Sequence, residues 1–470
     1  MASNVRKFTA EASFAVLSQG LSMGAGFALS IILPKYIPID NYGYWQLFIL
    51  YTGYVGFLHF GFIDGLYLKL GGKKFDEIDR DNVYPVMLIM IVQQVFASLA
   101  VLLASYFFET NDVKQTLFYY LALFVFIDNT YKLLSFVLMA TGRINKYSKS
   151  VIIDKLLMAG LVFVIVIIDP DADVGRMVAA FILSHAVVLY MVAMPFKGLF
   201  AYGMDNLRRV FPDYIGCIKV GSILMFSNLC GSFIVGSGRL VIESYWDIGI
   251  FAKVSLALAL SSFLMAFISQ ISYVLFPYLR NASLAMQKKV LVDGTFVLTS
   301  MGIILISLFF PIYYIVRLWL PQYELSLHFL LFLSPIAFYE IRTNLLYNTF
   351  FRNLNKVYEL FYINFSSLLV GAVLYIVAVY IENIMLMVLG MLIAVMFKCL
   401  VMQKYLFSCY KICFDKSTYV ELVISAVLIS SYSAFGVKTL FCVYVASVAA
   451  FITLFRNKII DVAKELKNRR

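Results

Sequence analysis

Residues 117–140 read LFYYLALFVFIDNTYKLLSFVLMA, an apolar run of membrane-spanning length that contains one acid and one base. A bilayer core of about 30 Å is crossed by about 20 apolar residues in a helix. Asp128 and Lys132 are four positions apart, so both side chains lie on one face of that helix. Because ionisable groups are costly inside a bilayer, this pair indicates a functional position in a membrane protein.

Similar apolar runs recur along all 470 residues of the chain. The sequence is 62% hydrophobic and 14% charged, against about 25% charged residues in soluble proteins. About fourteen runs reach spanning length, centred near residues 25, 55, 96, 126, 159, 187, 229, 264, 304, 338, 369, 395, 426 and 446. We therefore predict an all-α polytopic membrane protein, and the short loops leave no room for a soluble catalytic domain.

The distribution of lysine and arginine predicts the orientation of the chain. With the N-terminus in the cytoplasm, most of the 38 Lys and Arg residues fall in cytoplasmic segments, as the positive-inside rule requires. The segment after the twelfth run contributes Lys398, Lys404, Lys411 and Lys416 to this set. Both termini are predicted to be cytoplasmic. The net charge of +11 then indicates attraction to anionic lipid, and no nucleic-acid partner is expected.

Two sequence landmarks indicate an internal repeat. Gly43 in NYGYW and Gly249 in DIGIF are 206 positions apart, and the Asn-Lys pairs ending at Lys146 and Lys356 are 210 positions apart. Both offsets correspond to six spans, an even number, so the two halves have the same orientation. We predict two six-helix bundles in a parallel repeat plus two C-terminal helices with a basic tail, at residues 1–205, 206–410 and 411–470.

Several short motifs carry a resemblance to a known family. They are FAVLSQG at 14–20, Leu33-Pro34, YGYWQL at 42–47, HFGFIDG at 59–65 and Gly71-Gly72. With the short loops and the repeat, these motifs resemble the Wzx-type polysaccharide and O-antigen flippases. Those proteins belong to the multidrug/oligosaccharidyl-lipid/polysaccharide (MOP) exporter superfamily. The resemblance covers essentially the whole chain.

The resemblance implies a fold, a substrate and partners. Two bundles would surround a central cavity and rock between inward and outward openings. The substrate would be an oligosaccharide on a polyprenyl pyrophosphate, with its lipid tail kept in the membrane. The expected location is the bacterial plasma membrane, and the expected partners are membrane lipid, a polysaccharide polymerase and a chain-length regulator. A monomer is expected.

Cations inside spans are the first candidate substrate ligands. Adding 210 to Lys132 gives Arg342, so both mid-span cations fall at equivalent positions of the two halves. Arginine binds phosphate oxygens with a planar fork, and a sugar pyrophosphate is anionic. We therefore predict substrate binding by Lys132 and Arg342, with Asp128 beside them. The alternative interpretation is structural ion pairing.

Further polar positions complete the predicted site. Asp64 in the second span corresponds to Gln270 in the eighth at an offset of 206. Additional substrate contacts are predicted in the first and seventh spans, at Gln19, Asn228 and Arg239. Ion coupling is assigned to Asp64, Asp128 and Glu340. Snorkelling to the headgroups and helix packing are the alternative interpretations for the polar residues of the first and seventh spans.

Three functions remain in competition at this point. The first is a flippase for a lipid-linked oligosaccharide, the second a cation-coupled multidrug exporter of the same superfamily, and the third an integral-membrane polysaccharide polymerase. Polymerases normally carry a large external loop, and none is found here, so a transporter and not an enzyme is predicted. The run Gly71-Gly72-Lys73-Lys74 lacks the spacing of an ATP-binding phosphate loop. No metal and no cofactor is expected.

Overall fold

The computed structural model describes residues 20–22, 24–169, 173–199, 207–269, 282–413 and 416–468, with 18 and 279 as single positions. Within these ranges the regular structure is helical, and no strand occurs. The predicted all-α class is confirmed.

The first nine helices lead to the middle of the chain. They are α1 (24–36), α2 (Ile39–Val55), α3 (Phe62–Leu70), α4 (Arg80–Phe108), α5 (Asp112–Ala140), α6 (Ile144–Ile168), α7 (Val174–Ala193), α8 (Leu207–Tyr245) and α9 (Ile248–Ser269).

The remaining helices follow in the second half. They are α10 (Leu284–Leu305), α11 (Phe309–Trp319), α12 (Glu324–Ile341), α13 (Asn348–Asn353), α14 (Val357–Tyr380), α15 (Ile384–Cys409) and α16 (Lys416–Asn468). A π-helical segment, Arg342–Tyr347, joins α12 to α13 without interrupting the helical path.

The helices form a multi-pass membrane protein. In the described residues, ten helices are long and apolar enough to cross a membrane, or eleven when the bent pair α2 and α3 is one span. Two shorter apolar helices, Ile248–Ser262 and Ser417–Ser431, accompany them. The first predicted span begins in residues outside the described ranges, so the count of about fourteen stays a prediction.

Residue contacts divide the chain into two compact units. The first contains the chain up to Ser232 together with Trp246–Ser255, and the second contains Phe233–Tyr245 and the chain from Leu256 onward. In the first unit α4 packs on α5, α5 on α7 and α6 on α7. In the second, the corresponding helices pack in the same order: α11 on α12, α12 on α15 and α14 on α15.

The second span, predicted as an apolar run centred near residue 55, is broken in the middle. A 3₁₀ turn, Gly56–His59, follows α2, and α3 leaves at an angle of 60°. Gly61 between them has φ 84°, and a Cβ there would lie 2.5 Å from the backbone of Gly221. A Cβ at Gly65 would lie 2.0 Å from the Cys217 carbonyl oxygen. The HFGFIDG motif therefore provides the bend and the close packing of α3 on α8.

The last helix turns back on itself. A straight helix of 53 residues would be about 80 Å long, well over twice the bilayer core. Tyr444 donates to the carbonyl of Ile303 in α10, while Glu421 pairs with Arg342, which also bonds Thr299 in α10. In a straight helix Glu421 and Tyr444 would be about 35 Å apart, whereas Thr299 and Ile303 are one turn apart. The two apolar stretches of α16 therefore run in opposite directions.

Candidate functional site

In the first unit, the Asp128–Lys132 pair lies beside the break in the second span. Lys132 Nζ is 2.5 Å from Asp128 Oδ2, and the two side chains are 36% and 7% exposed. A Cβ at Gly56, just beyond the end of α2, would lie 3.2 Å from Nζ. A helix C-terminus carries partial negative charge, so the end of α2 and the Asp128 carboxylate both stabilise the ammonium group of Lys132.

An amide network satisfies the carbonyl groups that the break releases. Asn129 Nδ2 donates to the Val55 carbonyl at 3.1 Å and to Gln94 Oε1 at 2.7 Å. The Leu58 carbonyl accepts from Gln93 Nε2 at 2.9 Å and from Gln94 Nε2 at 3.3 Å. Since backbone polar groups inside a membrane must be bonded within the protein, this network holds the bend in place.

Two other polar residues of the second span, His59 and Asp64, lie close to the bend. His59 Nδ1 accepts from the Gly61 N–H at 3.0 Å, and His59 is buried. Asp64 is half-buried in the first turn of α3. A carboxylate there is stabilised by the helix dipole. His59 therefore supports the bend, and Asp64 marks the start of the helix that follows it.

A second buried cluster in this unit was not predicted. Asp154 on α6 contacts His185 and Ser184 on α7, with Oδ1 3.1 Å from His185 Nδ1 and 3.1 Å from Ser184 Oγ. Asp154 Oδ2 also lies 3.0 Å from Lys155 Nζ. The acid and the histidine are about thirty positions apart on different helices, so no spacing rule links them in the sequence.

In the second unit, a polar ladder runs along one face of α12, the π-helical segment and α13. Glu340 accepts a hydrogen bond from Asn344 Nδ2 at 2.9 Å and pairs with Lys398 of α15. Asn348 Nδ2 donates to Asn344 Oδ1 at 3.1 Å. Lys398 is 3% exposed, Glu340 15%, and Asn344 is exposed. The face of α12 that carries the exposed Asn344 therefore also carries the Glu340 carboxylate, whose charge Lys398 neutralises.

Arg342 lies on the other side of this helix. It has no exposed surface, and its Nη1 is 2.8 Å from Glu421 on α16 and 2.8 Å from Thr299 on α10. Two residues of helix correspond to a rotation of about 200°, which separates Arg342 from the face of Glu340. In this conformation Arg342 ties the first stretch of α16 to the unit and offers no surface to a substrate.

The helix ends give a different repeat register from the predicted offset of 210. Gly142 and Asn355 both have positive φ, 79° and 56°, in the turn that follows spans four and ten. They are 213 positions apart. The π-helical segment of the second unit accommodates one additional residue. For residues that precede this additional residue, the offset between equivalent positions of the two units is therefore 212. Asp128 then corresponds to Glu340 and Lys132 to Asn344, so Arg342 is not the counterpart of Lys132.

The remaining predicted contacts lie on α8 or outside the described residues. Asn228 is exposed on α8, and Arg239 is half-buried on the same helix. Gln19 and Gln270 lie outside the described residues. Among the residues that the structure describes, no group of three or more His, Cys, Asp or Glu side chains has a metal-binding arrangement.

The main residue that the sequence prediction missed is Lys398. It was assigned to a cytoplasmic segment, but it lies inside α15 and is buried against Glu340. The signal was present: IAVMFKCLVM at 393–402 has a single charge in an uninterrupted apolar run. Such a charge indicates an intramembrane pair.

The sequence itself matches no family model and no curated protein. The fold is nevertheless similar to those of solved transporters. The structure of lipid II flippase MurJ in an inward closed conformation matches with a TM-score of 0.71 and 12% identity, covering 95% of this chain and 99% of that chain.

A second group of similar structures comprises MATE transporters. An inward-facing multidrug resistance MATE family transporter of the MOP superfamily gives a TM-score of 0.64 at 13% identity, covering 84% of this chain and 95% of that chain. A MATE structure in a bent conformation gives a TM-score of 0.54 at 13% identity, covering 84% of this chain and 96% of that chain.

The chain therefore has the fold of MOP-superfamily transporters. The three solved structures are those of a lipid II flippase and of MATE transporters. Within that class the match to the flippase extends over more of this chain than the matches to the exporters.

Proposed function

We propose that the protein is a flippase that moves a polyprenyl-pyrophosphate-linked oligosaccharide across a bacterial plasma membrane by alternating access. The observation that carries the proposal is the fold match to a lipid II flippase over 99% of that protein's chain and 95% of this one. The exporter matches leave about a sixth of this chain uncovered. The Wzx-like motifs in the first two spans support the same substrate class.

Lys132 is the cation that we assign to the pyrophosphate. Its side chain is 36% exposed, while Lys398 and Arg342 are buried against carboxylates. In the absence of substrate, Asp128 acts as its counter-ion. A phosphate oxygen exchanges with that carboxylate and makes a charge-assisted hydrogen bond to Nζ.

The rest of the assignment follows from the same proposal. Bundles 1–205 and 206–410 rock around the substrate, and the segment 411–470 adds the last two helices and a basic cytoplasmic tail. Asp128 and Glu340 are the carboxylates proposed for ion coupling. Both termini are cytoplasmic, the transporter works as a monomer, and a polymerase and a chain-length regulator act on its product.

A cation-coupled multidrug exporter is the second candidate. It is favoured by the MATE fold match and by the carboxylate–lysine pair found in each unit, Asp128–Lys132 and Glu340–Lys398. Such pairs exchange a bound cation for a lysine ammonium without leaving a bare charge in the membrane. This candidate predicts transport of cationic drugs and no effect on lipid-linked sugars.

Deletion of the gene distinguishes the candidates. Lipids are extracted from the deletion strain, and polyprenyl-linked oligosaccharide is measured by mass spectrometry together with its sidedness. A flippase defect gives a complete repeat unit that accumulates on the cytoplasmic face. A normal lipid-linked pool would exclude the flippase and favour the exporter, and accumulation on the outer face would indicate the polymerase.

Reconstituted vesicles test the assignment of Lys132. Lys132→Ala should reduce flipping of a fluorescent lipid-linked oligosaccharide by at least about tenfold, since a charge-assisted hydrogen bond contributes about 1.5–3 kcal/mol. Lys132→Arg should retain part of the rate because the charge remains. Lys146→Ala, an exposed lysine at the start of α6, is the matched control. Equal rates in the Lys132→Ala and Lys146→Ala variants would exclude Lys132 as the phosphate ligand.

A further inference from the structure

One buried polar cluster, between α6 and α7, has no part in the proposed mechanism. It consists of Asp154, Ser184 and His185, and the side chains of the acid and the histidine are only 6% and 7% exposed. The rings of Phe124 and Phe181 pack on the imidazole with centroids 4.9 Å and 4.5 Å away. Since ionisable groups are rarely kept in an apolar bundle without a function, this cluster is a candidate site.

The hydrogen-bond partners of His185 determine where it can take up a proton. Its Nδ1 lies 3.1 Å from Asp154 Oδ1 and 3.0 Å from the Phe181 carbonyl oxygen. Both partners are acceptors, so Nδ1 carries the hydrogen in the neutral ring. The lone pair is therefore on Nε2, which is the atom that binds an additional proton.

The charges around the ring are balanced before that proton arrives. Lys155 Nζ, on α6, lies 3.0 Å from Asp154 Oδ2 and neutralises it. From α5, Phe124 packs on the imidazole with its ring centroid 4.9 Å away, and the carboxylate of Asp128 follows about one helical turn further along the same face. The neighbouring α2 contributes aromatic rings, with Trp45 6.0 Å from Phe181. The side chain of Lys155 is 28% exposed and connects the cluster to water.

We propose that His185 and Asp154 form a proton-binding site that controls the Asp128–Lys132 pair. A proton taken up from water adds to Nε2 and gives an imidazolium, while the Nδ1–H bond to Asp154 is kept. The new positive charge attracts the carboxylate of Asp128 and weakens its hold on Lys132. The ammonium group of Lys132 then becomes available to an anionic diphosphate. This last step rests on the proposed function, whereas the proton site does not.

The chemistry of the cluster fits a proton better than a metal ion. A lysine ammonium already occupies one oxygen of Asp154, and the Nδ1 hydrogen of His185 occupies the other. A cation would have to displace both. In the described part of the chain, no three His, Cys, Asp or Glu side chains converge in a metal-binding arrangement. A histidine beside a carboxylate is the usual proton acceptor near neutral pH.

Nuclear magnetic resonance of labelled histidine tests the proton site directly. The chain has three histidines, so His185→Gln identifies the signal of His185 by its loss. In the wild type this signal should change from the Nδ1–H form to the doubly protonated form as the pH is lowered. In Asp154→Asn the ring should stay neutral at the pH values at which the wild type takes up the proton. Ser184→Ala, which leaves the acid and the histidine in place, should still titrate. A wild-type signal that does not change would overturn the site.

Binding of a short polyprenyl pyrophosphate in detergent tests the link to Lys132. Wild-type affinity should rise about tenfold as the pH falls through the range in which His185 titrates, since that corresponds to about 1.4 kcal/mol. In His185→Gln the affinity should not depend on pH, whereas His328→Gln, an exposed histidine of α12, should behave as wild type. Equal pH dependence in both variants would refute the coupling. No wild-type binding at any pH would instead refute the diphosphate step and the proposed function, and the resonance result would stand.

Discussion

The fourth and tenth spans carry the same polar pattern, but they neutralise it in different ways. In α5, Asp128 finds its cation four residues further along the same helix, and Lys132 keeps 36% of its side chain exposed. In α12, the equivalent Glu340 finds its cation on α15, and Lys398 is 3% exposed. An ion pair within one helix leaves its lysine available to a ligand, whereas an ion pair between two helices holds the two spans together.

The second unit contains a further ion pair between two helices. Arg342 and Glu421 join the π-helical segment after α12 to α16, and their side chains are 0% and 4% exposed. The two units thus share a helix arrangement and differ in how strongly buried charges connect their spans. Stability should therefore depend on charged residues more in the second unit than in the first.

The largest effect is expected from Arg342→Met. It leaves the Glu421 carboxylate buried without a cation, and removal of one partner of a buried pair costs about 3–5 kcal/mol. Asp128→Asn in the first unit should cost less than about 1 kcal/mol, because Lys132 reaches water. The free energy of unfolding in detergent, measured by circular dichroism during denaturant titration, gives both values.

A double variant separates the charge from the packing. Arg342→Met with Glu421→Leu removes both charges, and replacing a buried pair by apolar residues is close to neutral. Most of the stability lost in Arg342→Met should then return. If Arg342→Met and Asp128→Asn destabilise the protein equally, the contrast between the two units is incorrect.

A smaller effect on stability is expected from Lys398→Met, since Glu340 is 15% exposed and keeps its hydrogen bond from Asn344. The revised repeat register makes Asn344 the counterpart of Lys132. Adding Asn344→Lys should therefore recreate the Asp128–Lys132 arrangement on α12 and restore most of the loss. Unfolding in detergent again gives the measurement.

Asn348→Lys in the Lys398→Met background is the matched control for this rescue. Residue 348 is two helical turns from Glu340, about 12 Å along the axis, which is too far for a direct pair. Rescue by Asn348→Lys as complete as that by Asn344→Lys would show that the register is wrong.

The sequence predicts the helices well because hydropathy and length depend on local composition. Each described helix of spanning length lies on a predicted run, and the break in the second span falls at the predicted centre near residue 55. The bend itself was missed, since it depends on Gly61 and Gly65 contacting a helix about 150 residues further along the chain. Contacts of this kind leave no periodic signal in one sequence.

The sequence also predicts which spans carry charge, but it does not predict which face or partner each charge has. Arg342 was assigned to a cavity by an offset of 210, and two positions of error turn a helix by about 200°. The π-helical segment moves the register again. The partners Glu340–Lys398 and Asp154–His185 join residues on separate helices, so only the folded structure brings them together.

The smallest effect is expected from Gly56→Ala, which tests whether the end of α2 positions Lys132. The new Cβ would lie 3.2 Å from Nζ, so the flexible end of the lysine must move by a few tenths of an ångström. Stability should change by less than about 1 kcal/mol, because alanine favours the helix. Under the proposed function, the apparent KM for a fluorescent lipid-linked oligosaccharide in vesicles should rise about twofold. Gly53→Ala lies one turn earlier, where a Cβ meets nothing within 4 Å, and it should leave the KM unchanged. The same rise in KM in both variants would mean that the end of α2 stabilises the ammonium group of Lys132 but does not determine its position. The first unit would then resemble the second more closely than the structure indicates.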